Sequence, residues 1–376
     1  MVRTEHFFDR QTALTEAKTK IYQEYIEGYL PKLLMKFGIC LIADLFCGAG
    51  KNGNKNGSPL ILIDRIKYIL TVPQLKNKSN LKIHILFNDQ NEANIKNLEK
   101  ELENIDYDKS IIKIFLRNQS YEDILPQLTK KPEKLEIPKF FFLDPFSYAN
   151  VKMNDLSDLM QLHSAEILFF SPLFHTYRFT KTEAFDEKHK TRRFIEEFTT
   201  KGMTNYGNAQ NYMYSIKEKL LLEIKVNKKN TTPYIRPVLL DGGGSKNGLF
   251  LITAHQKGML LMNKILLKNT NDGSTVNVKD LNQSKLFATE EASIFYDNFK
   301  KNILNYLSEN KELTNEEICD FTIREGFAPK QVKNILKEIF VAKKLKVFSE
   351  NGEEITNSTK WKIADDITEI TKFKII

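Results

Sequence analysis

Apolar positions along this chain follow two rhythms. Between Thr15 and Leu34, Ile21, Tyr25, Tyr29, Leu30, Leu33 and Leu34 recur at helical spacing, so residues 5–37 predict one long helix. Lys18 lies inside it and reads as a solvated helix residue unless it points back at the loop that follows the first strand. After this helix, short unbroken apolar runs take over. The stretches 41–44, 81–87, 111–116, 139–143 and 165–171 read as buried strands, and 59–70, 91–102 and 153–163 read as helices. Ser58 is a candidate N-cap for the first of these helices, with Pro59 at its first position. Alternation of this kind predicts an α/β fold with a doubly wound, parallel, Rossmann-like sheet.

The pattern changes after Pro172. Residues 172–214 are charged, aromatic and without strand signals, and predict a helical insertion. Residues 220–226, 234–239 and 248–253 then read as three more strands, with Gly242-Gly243-Gly244 as a flexible connection, and 258–267 as a helix. The first domain is therefore expected to span 1–268. A polar, turn-rich stretch, 269–283, reads as a linker. Beyond it, 284–376 carries an amphipathic helix (292–307), a second helix opened by Thr314-Asn315-Glu316-Glu317, and a third opened by Ala328-Pro329-Lys330. Residues 345–348 and 361–363 are expected to pair as a hairpin around Glu350-Asn351-Gly352-Glu353. Three helices and a wing predict a C-terminal winged helix-turn-helix domain.

Composition agrees with two domains, since 376 residues exceed what one small core organises. No run of apolar residues is long enough to span a bilayer, and the first residues lack the apolar core of a signal peptide. Cys40, Cys47 and Cys319 are scattered, without C-x-x-C spacing. They predict a reducing cytoplasm and no structural zinc or other metal site. The net charge of +8 suits a polyanionic partner such as nucleic acid.

The chemistry concentrates where strands end. The run 41–44 closes on Asp44, and Asp44-Leu45-Phe46-Cys47-Gly48-Ala49-Gly50 follows. Glycines there let backbone approach a ligand, because no Cβ intervenes, and such loops lie outside the carboxyl end of the sheet, where α/β proteins bind ligands. The dinucleotide pattern G-x-G-x-x-G is absent. Asp44-x-Phe46-x-Gly48-x-Gly50 instead resembles the S-adenosylmethionine (SAM) loop of class I methyltransferases. Asp89, at the end of the second strand, is placed to accept hydrogen bonds from ribose hydroxyls. Asn118 and Gln119, after the third strand, are placed either to read an adenine edge or to serve turn and cap chemistry. Phe46, Cys47 and Ser58 complete the expected cofactor set.

Asp144-Pro145-Phe146-Ser147 follows the fourth strand. It is similar to the [N/D/S]-P-P-[Y/F/W] signature of methyltransferases that act on exocyclic amines, with one proline in place of two. A carboxylate there accepts the amine's N–H, and the aromatic ring stacks on the base, so Asp144, Pro145 and Phe146 are the expected catalytic group. The glycine loop also resembles that of 5-methylcytosine methyltransferases. Their Pro-Cys nucleophile has no counterpart at Asp144-Pro145-Phe146, which argues against covalent cytosine chemistry. Lys190, Arg192 and Arg193 in the insertion, and Lys330, Lys333 and Lys337 on the third C-terminal helix, are candidate nucleic-acid contacts. A protein-docking role for the winged helix is the alternative.

Taken in order along the chain, His6-Phe7-Phe8-Asp9, Lys18 before Ile21 and Tyr25, the Asp44–Gly50 loop, Gly57-Ser58-Pro59, Leu143-Asp144-Pro145-Phe146 and Phe250–His255 resemble the three-Cys-motif partner (TcmP) family. The chain departs from it at Phe146-Ser147, where glycine is expected after the aromatic. The resemblance covers roughly residues 5–268. It implies a SAM-dependent methyltransferase that accompanies a three-cysteine protein similar to radical-SAM enzymes, and supplies no substrate. The expected function is methyl transfer to a base nitrogen of DNA or RNA. The alternative is a SAM-binding partner subunit with little catalysis of its own.

Overall fold

The computed structural model describes residues 2–130, 136–147, 150–182, 186, 189–226, 231–270, 272–278, 290–310 and 312–376. Tyr148 and Lys188 lie outside these residues, as do the side chains of His6, Phe7, Phe8 and Asp9. The chain forms two compact units, Met1–Ala254 with Val276–Leu281, and His255–Thr275 with Asn282–Ile376. No helix among the described residues is long and apolar enough to cross a membrane.

In the first unit α1 (Val2–Phe37) leads into β1 (Ile39–Asp44). Gly38 turns the chain between them at φ +72°, with its N–H on the Leu34 carbonyl, and Lys78 Nζ bonds the same carbonyl at 2.9 Å. These bonds satisfy a carbonyl that the end of a helix leaves open. A small hairpin follows, β2 (Lys51–Asn52) with β3 (Lys55–Asn56). Next come α2 (Ser58–Leu70), α3 (Pro73–Lys76), β4 (Lys82–Asn88), α4 (Glu92–Glu103), β5 (Ile112–Arg117), α5 (Tyr121–Thr129), β6 (Lys139–Leu143), α6 (Met153–Met160) and β7 (Ala165–Ser171).

The insertion is α7 (Leu173–Tyr177), α8 (Lys190–Phe198) and α9 (Ala209–Glu223), and it ends on β8 (Tyr234–Asp241) and β9 (Lys246–Thr253). The strand expected at 220–226 is absent. Those residues complete α9, which Asn208 caps by accepting from the Asn211 N–H, and only Val226 forms a bridge, to Thr231. A short leucine run fits a buried strand or one face of a helix equally well. Here Leu220 is buried and Leu222 exposed, which is helical geometry. The triple glycine lies in the turn of the β8–β9 hairpin.

The sheet order is β10-β8-β9-β7-β6-β1-β4-β5, where β10 (Thr275–Asn277) lies inside the stretch expected as linker. Strands β5, β4, β1, β6 and β7 run parallel, and β9 is antiparallel to both β7 and β8. Helices cover both faces, so β6 is buried at every residue. On one face Tyr22, Tyr25 and Tyr29 of α1 pack on Phe140, and Tyr22 also meets Phe142 at 4.6 Å between ring centroids. The order reverses between β1 and β6: β4 and β5 lie on one side, β7 on the other. That is a topological switch point, where the carboxyl ends of the strands open a crevice.

In the second unit α10 (Gln256–Asn269) precedes α11 (Glu290–Glu309), β11 (Leu313–Thr314), α12 (Asn315–Arg324), α13 (Pro329–Val341), β12 (Leu345–Ser349) and β13 (Thr371–Ile375). Asn263 of α10 donates to the carbonyls of Ile323 and Phe327, docking that helix on α12. Thr314 caps α12, and Glu317 returns a bond to the Thr314 N–H. The wing departs from expectation. Leu345–Ser349 pairs with Thr371–Ile375, giving the order β11-β13-β12, and not with 361–363. Trp361 instead ends a 3-10 turn and is buried edge-on to Phe340 and Phe373, while Lys362 at φ +53° takes the chain out of extended geometry. Burial of the single tryptophan outweighs the local strand pattern.

Candidate active site

The loops at the carboxyl ends of β1, β4 and β5 are cross-linked beside the switch point. The Cys47 N–H donates to the Asn88 carbonyl at 3.0 Å, and Asn88 Nδ2 donates to the carbonyls of Leu45 and Gln119. Asn118 Nδ2 donates to the carbonyls of Asp89 and Gln90. Asp89 Oδ2 accepts from the Gly48 N–H at 3.0 Å and Oδ1 from the Asn91 N–H at 2.8 Å. Asp89 and Asn118 therefore staple the glycine loop to its neighbours. Each oxygen of Asp89 keeps a second lone-pair site for a ligand hydroxyl.

Within the loop, Gly48 (φ +66°) and Gly50 (φ +84°) have backbone that L side chains rarely adopt. Their surroundings differ. A Cβ on Gly48 would meet nothing within 4 Å, so its backbone faces open space. A Cβ on Gly50 would stand 2.9 Å from Leu98 Cδ1, so this glycine serves packing. Cys47 is buried, and burial raises its thiol pKa well above the usual range, which makes it a poor nucleophile. Phe46 stacks on Tyr121 with centroids 5.0 Å apart.

Asp44 is fully buried. It accepts from the Ser58 hydroxyl at 2.6 Å and from the Phe46 N–H at 3.3 Å. Burial pushes its pKa up to about 7 against the lowering effect of Ser58, and the charge of Asp144 adds to the rise. Ser58 is not the N-cap of α2. Gly57 holds that position, and the hydroxyl serves Asp44 instead.

Asp144 follows β6 directly and forms an ion pair with Lys18 of α1. Both side chains are largely covered, and Lys18 Nζ sits 4.5 Å over the ring of Phe170 on β7. Lys18 is thus not a solvated helix residue; of the two readings the sequence left open, it takes the one that points back at the strand ends, and its partner there is Asp144. The position of Lys18 carried a signal, because 18 precedes Ile21, Tyr22 and Tyr25 by three, four and seven residues and so falls on the buried stripe. Tyr22, which sequence reasoning passed over, has a buried hydroxyl without a hydrogen-bond partner among the described residues. Burial and the nearby Asp44 raise its pKa. Pro145 is buried, and Phe146 is 72% exposed beside Asp144.

The candidate nucleic-acid residues are on α8 and α13. Lys190 and Arg193 are exposed on α8, where Arg192 pairs with Glu196 at 2.8 Å. The opposite face of α8, Phe194, Ile195 and Phe198, is buried in the main core, and Glu197 accepts from the Met153 N–H. In the second unit Lys330, Lys333 and Lys337 share the outer face of α13 and make no ion pair among the described residues. Glu338, the acidic residue among them, is paired with Lys300 of α11.

Comparison with known proteins adds one domain-level match. Residues 278–352 match the model of the GMT-like wHTH domain. No curated protein matches the chain. Similar solved structures include protein LPL1258 of Legionella pneumophila (family model DUF519), at 13% identity over 62% of this chain and 85% of that one, with a TM-score of 0.34. Another is the O-methyltransferase TomG of Streptomyces achromogenes, solved with SAM, at 10% identity over 62% and 80% and a TM-score of 0.32. A third, described as a class I SAM-dependent methyltransferase of Listeria monocytogenes, has 14% identity over 63% and 60% and a TM-score of 0.28. Likeness at this level leaves the chemistry to be read from the residues of the site.

Proposed function

We propose that the first unit binds SAM across the switch point and transfers its methyl group to a nitrogen of a nucleic-acid base, with the winged helix contributing to substrate binding. The resemblance to the TcmP family agrees with this reading. The observation that carries it is the convergence of two carboxylates, Asp44 and Asp144, and an open-backed glycine loop on the switch point of a doubly wound sheet.

The residues fit such a cofactor. Gly48 offers backbone with open space before it, Asp89 retains acceptor sites for ribose hydroxyls, and Asp44 lies at the base of the loop. When bound, SAM supplies an electrophilic methyl group on a sulfonium. Asp144 then does the chain's part of the chemistry. Lys18 holds its Oδ2, which leaves Oδ1 to accept an N–H of the acceptor amine and to offset positive charge as the nitrogen gains a substituent. Phe146, exposed beside it, offers a face on which the base stacks.

Asp144→Asn should lower methyl transfer from labelled SAM to bulk RNA or DNA by about 10²–10³, while calorimetric SAM affinity stays near that of the wild type. Phe146→Ala should weaken substrate binding by about 1–3 kcal/mol. Equal transfer by wild type and Asp144→Asn would remove Asp144 from the mechanism. No transfer by the wild type, with a three-cysteine partner protein added, would favour the partner-subunit reading.

A further inference from the structure

The segment that follows β7 carries a stack of rings and cations that neither the glycine loop nor the Asp144 cluster uses. In register Leu143 pairs with Phe169, so Phe170 lies beside Asp144, and α7 begins three residues later. The buried side of this segment is fixed. Leu173, Thr176 and Thr180 are buried, the two threonine hydroxyls bond the carbonyls of Leu173 and Tyr177, and the Tyr177 hydroxyl bonds the Gly207 carbonyl. On the other side the guanidinium of Arg178 lies 5.3 Å from the ring centroid of Phe174 and 4.9 Å from that of Phe179. His175 meets Phe174 edge-on at 5.8 Å. His175 and Arg178 are exposed, and Phe174 and Phe179 partly so.

An arginine held over aromatic rings loses freedom while its exposed N–H groups stay available. Those groups match the two oxygens of a phosphodiester, and restricting them in advance reduces the entropy lost on binding. Partly exposed rings beside it suit unstacked bases. A duplex presents no such bases, so the combination selects a single strand.

Building on the nucleic-acid reading above, we propose that the ladder His175–Phe174–Arg178–Phe179 binds nucleotides flanking the acceptor base in single-stranded nucleic acid, with Arg178 on a phosphodiester. The test is fluorescence anisotropy of labelled single-stranded DNA and RNA 12-mers and a matched duplex against the full chain, across a salt series. The wild type should bind single strands, and the ladder variants should lose single-strand affinity while keeping that for duplex. Arg178→Ala should lose about tenfold in single-strand affinity and reduce the salt slope by about 0.7, as expected for one phosphate on a single strand. Phe179→Leu, which keeps the apolar cover but removes the ring, should also weaken binding. Arg178→Lys should not rescue, because an ammonium cannot stack as a plane. Thermal melting and SAM calorimetry on each variant report whether the fold is intact. Wild-type single-strand binding that Arg178→Ala leaves unchanged, full rescue by Arg178→Lys, or an equal loss of duplex affinity in Arg178→Ala would each overturn the ladder assignment and leave the nucleic-acid reading standing. No binding of any oligonucleotide by the wild type would overturn both.

Discussion

Gly48 and Gly50 sit two residues apart with similar backbone and separate duties. Both substitutions to alanine should cost about 1–2 kcal/mol for the left-handed conformation alone. Gly50→Ala should cost more, because its methyl group meets Leu98, and should show this as a lower Tm. Gly48→Ala should lose less stability and more SAM affinity, since its methyl group occupies the open space before the loop. Paired melting curves and calorimetry check this. The same loss of SAM affinity in both variants would show that loop shape alone, and not access at Gly48, governs binding. Cys47 illustrates the converse point. It stands in the glycine loop, yet burial holds its thiol protonated and leaves it a packing residue.

At the level of elements, α12 and α13 show how local sequence and tertiary contacts divide the work. The capping box at Thr314 is written in the sequence and present in the fold. Thr314→Ala should destabilise the second unit by about 1 kcal/mol, read by chemical denaturation of the full chain. On α13 Glu338 stands among the lysines. The ion pair to Lys300 neutralises Glu338, so Lys330, Lys333 and Lys337 act as one basic face. If this face contacts phosphates of a duplex, the triple alanine variant should lower the salt slope of DNA binding by about 2–3, near 0.9 per contact. An unchanged slope would assign the winged helix to protein docking.

Across the molecule, two buried carboxyls make stability depend on pH. Asp44 lies at the switch point, and Glu166 lies at the opposite end of the sheet, accepting from Tyr25 at 2.5 Å and Thr253 at 2.9 Å. Burial pushes both up to about 7. In the unfolded chain both titrate near 4. The folded state therefore binds more protons across this window. Its contribution from these groups is complete below about pH 4, is lost as pH rises to about 7, and changes little above. Glu166→Gln keeps a neutral partner for Tyr25 and Thr253, so its Tm should decline less between pH 5 and pH 8 than that of the wild type. Parallel declines would show that Glu166 does not hold its proton.

Much of this was legible in the chain itself. Unbroken apolar runs such as Phe140–Leu143 specify strands buried on both faces, and their alternation with helices leaves a doubly wound parallel sheet as the consistent solution. Gly48, Gly50 and Asp144 are legible as strand-end residues, and they stand just after the carboxyl ends of β1 and β6. Contacts between residues far apart in sequence were not legible. The pairing of Lys18 with Asp144, 126 residues away, depends on how α1 lies across β6 and β7. Ser58 serving Asp44 depends on the approach of α2 to β1. The partner of β12 was decided by where Trp361 could be buried, and the extent of α9 by which leucines faced the core. Local sequence sets the period of an element and the chemistry at its ends. Which side chains then meet, and which carboxyls lose their water, is settled only when the elements pack.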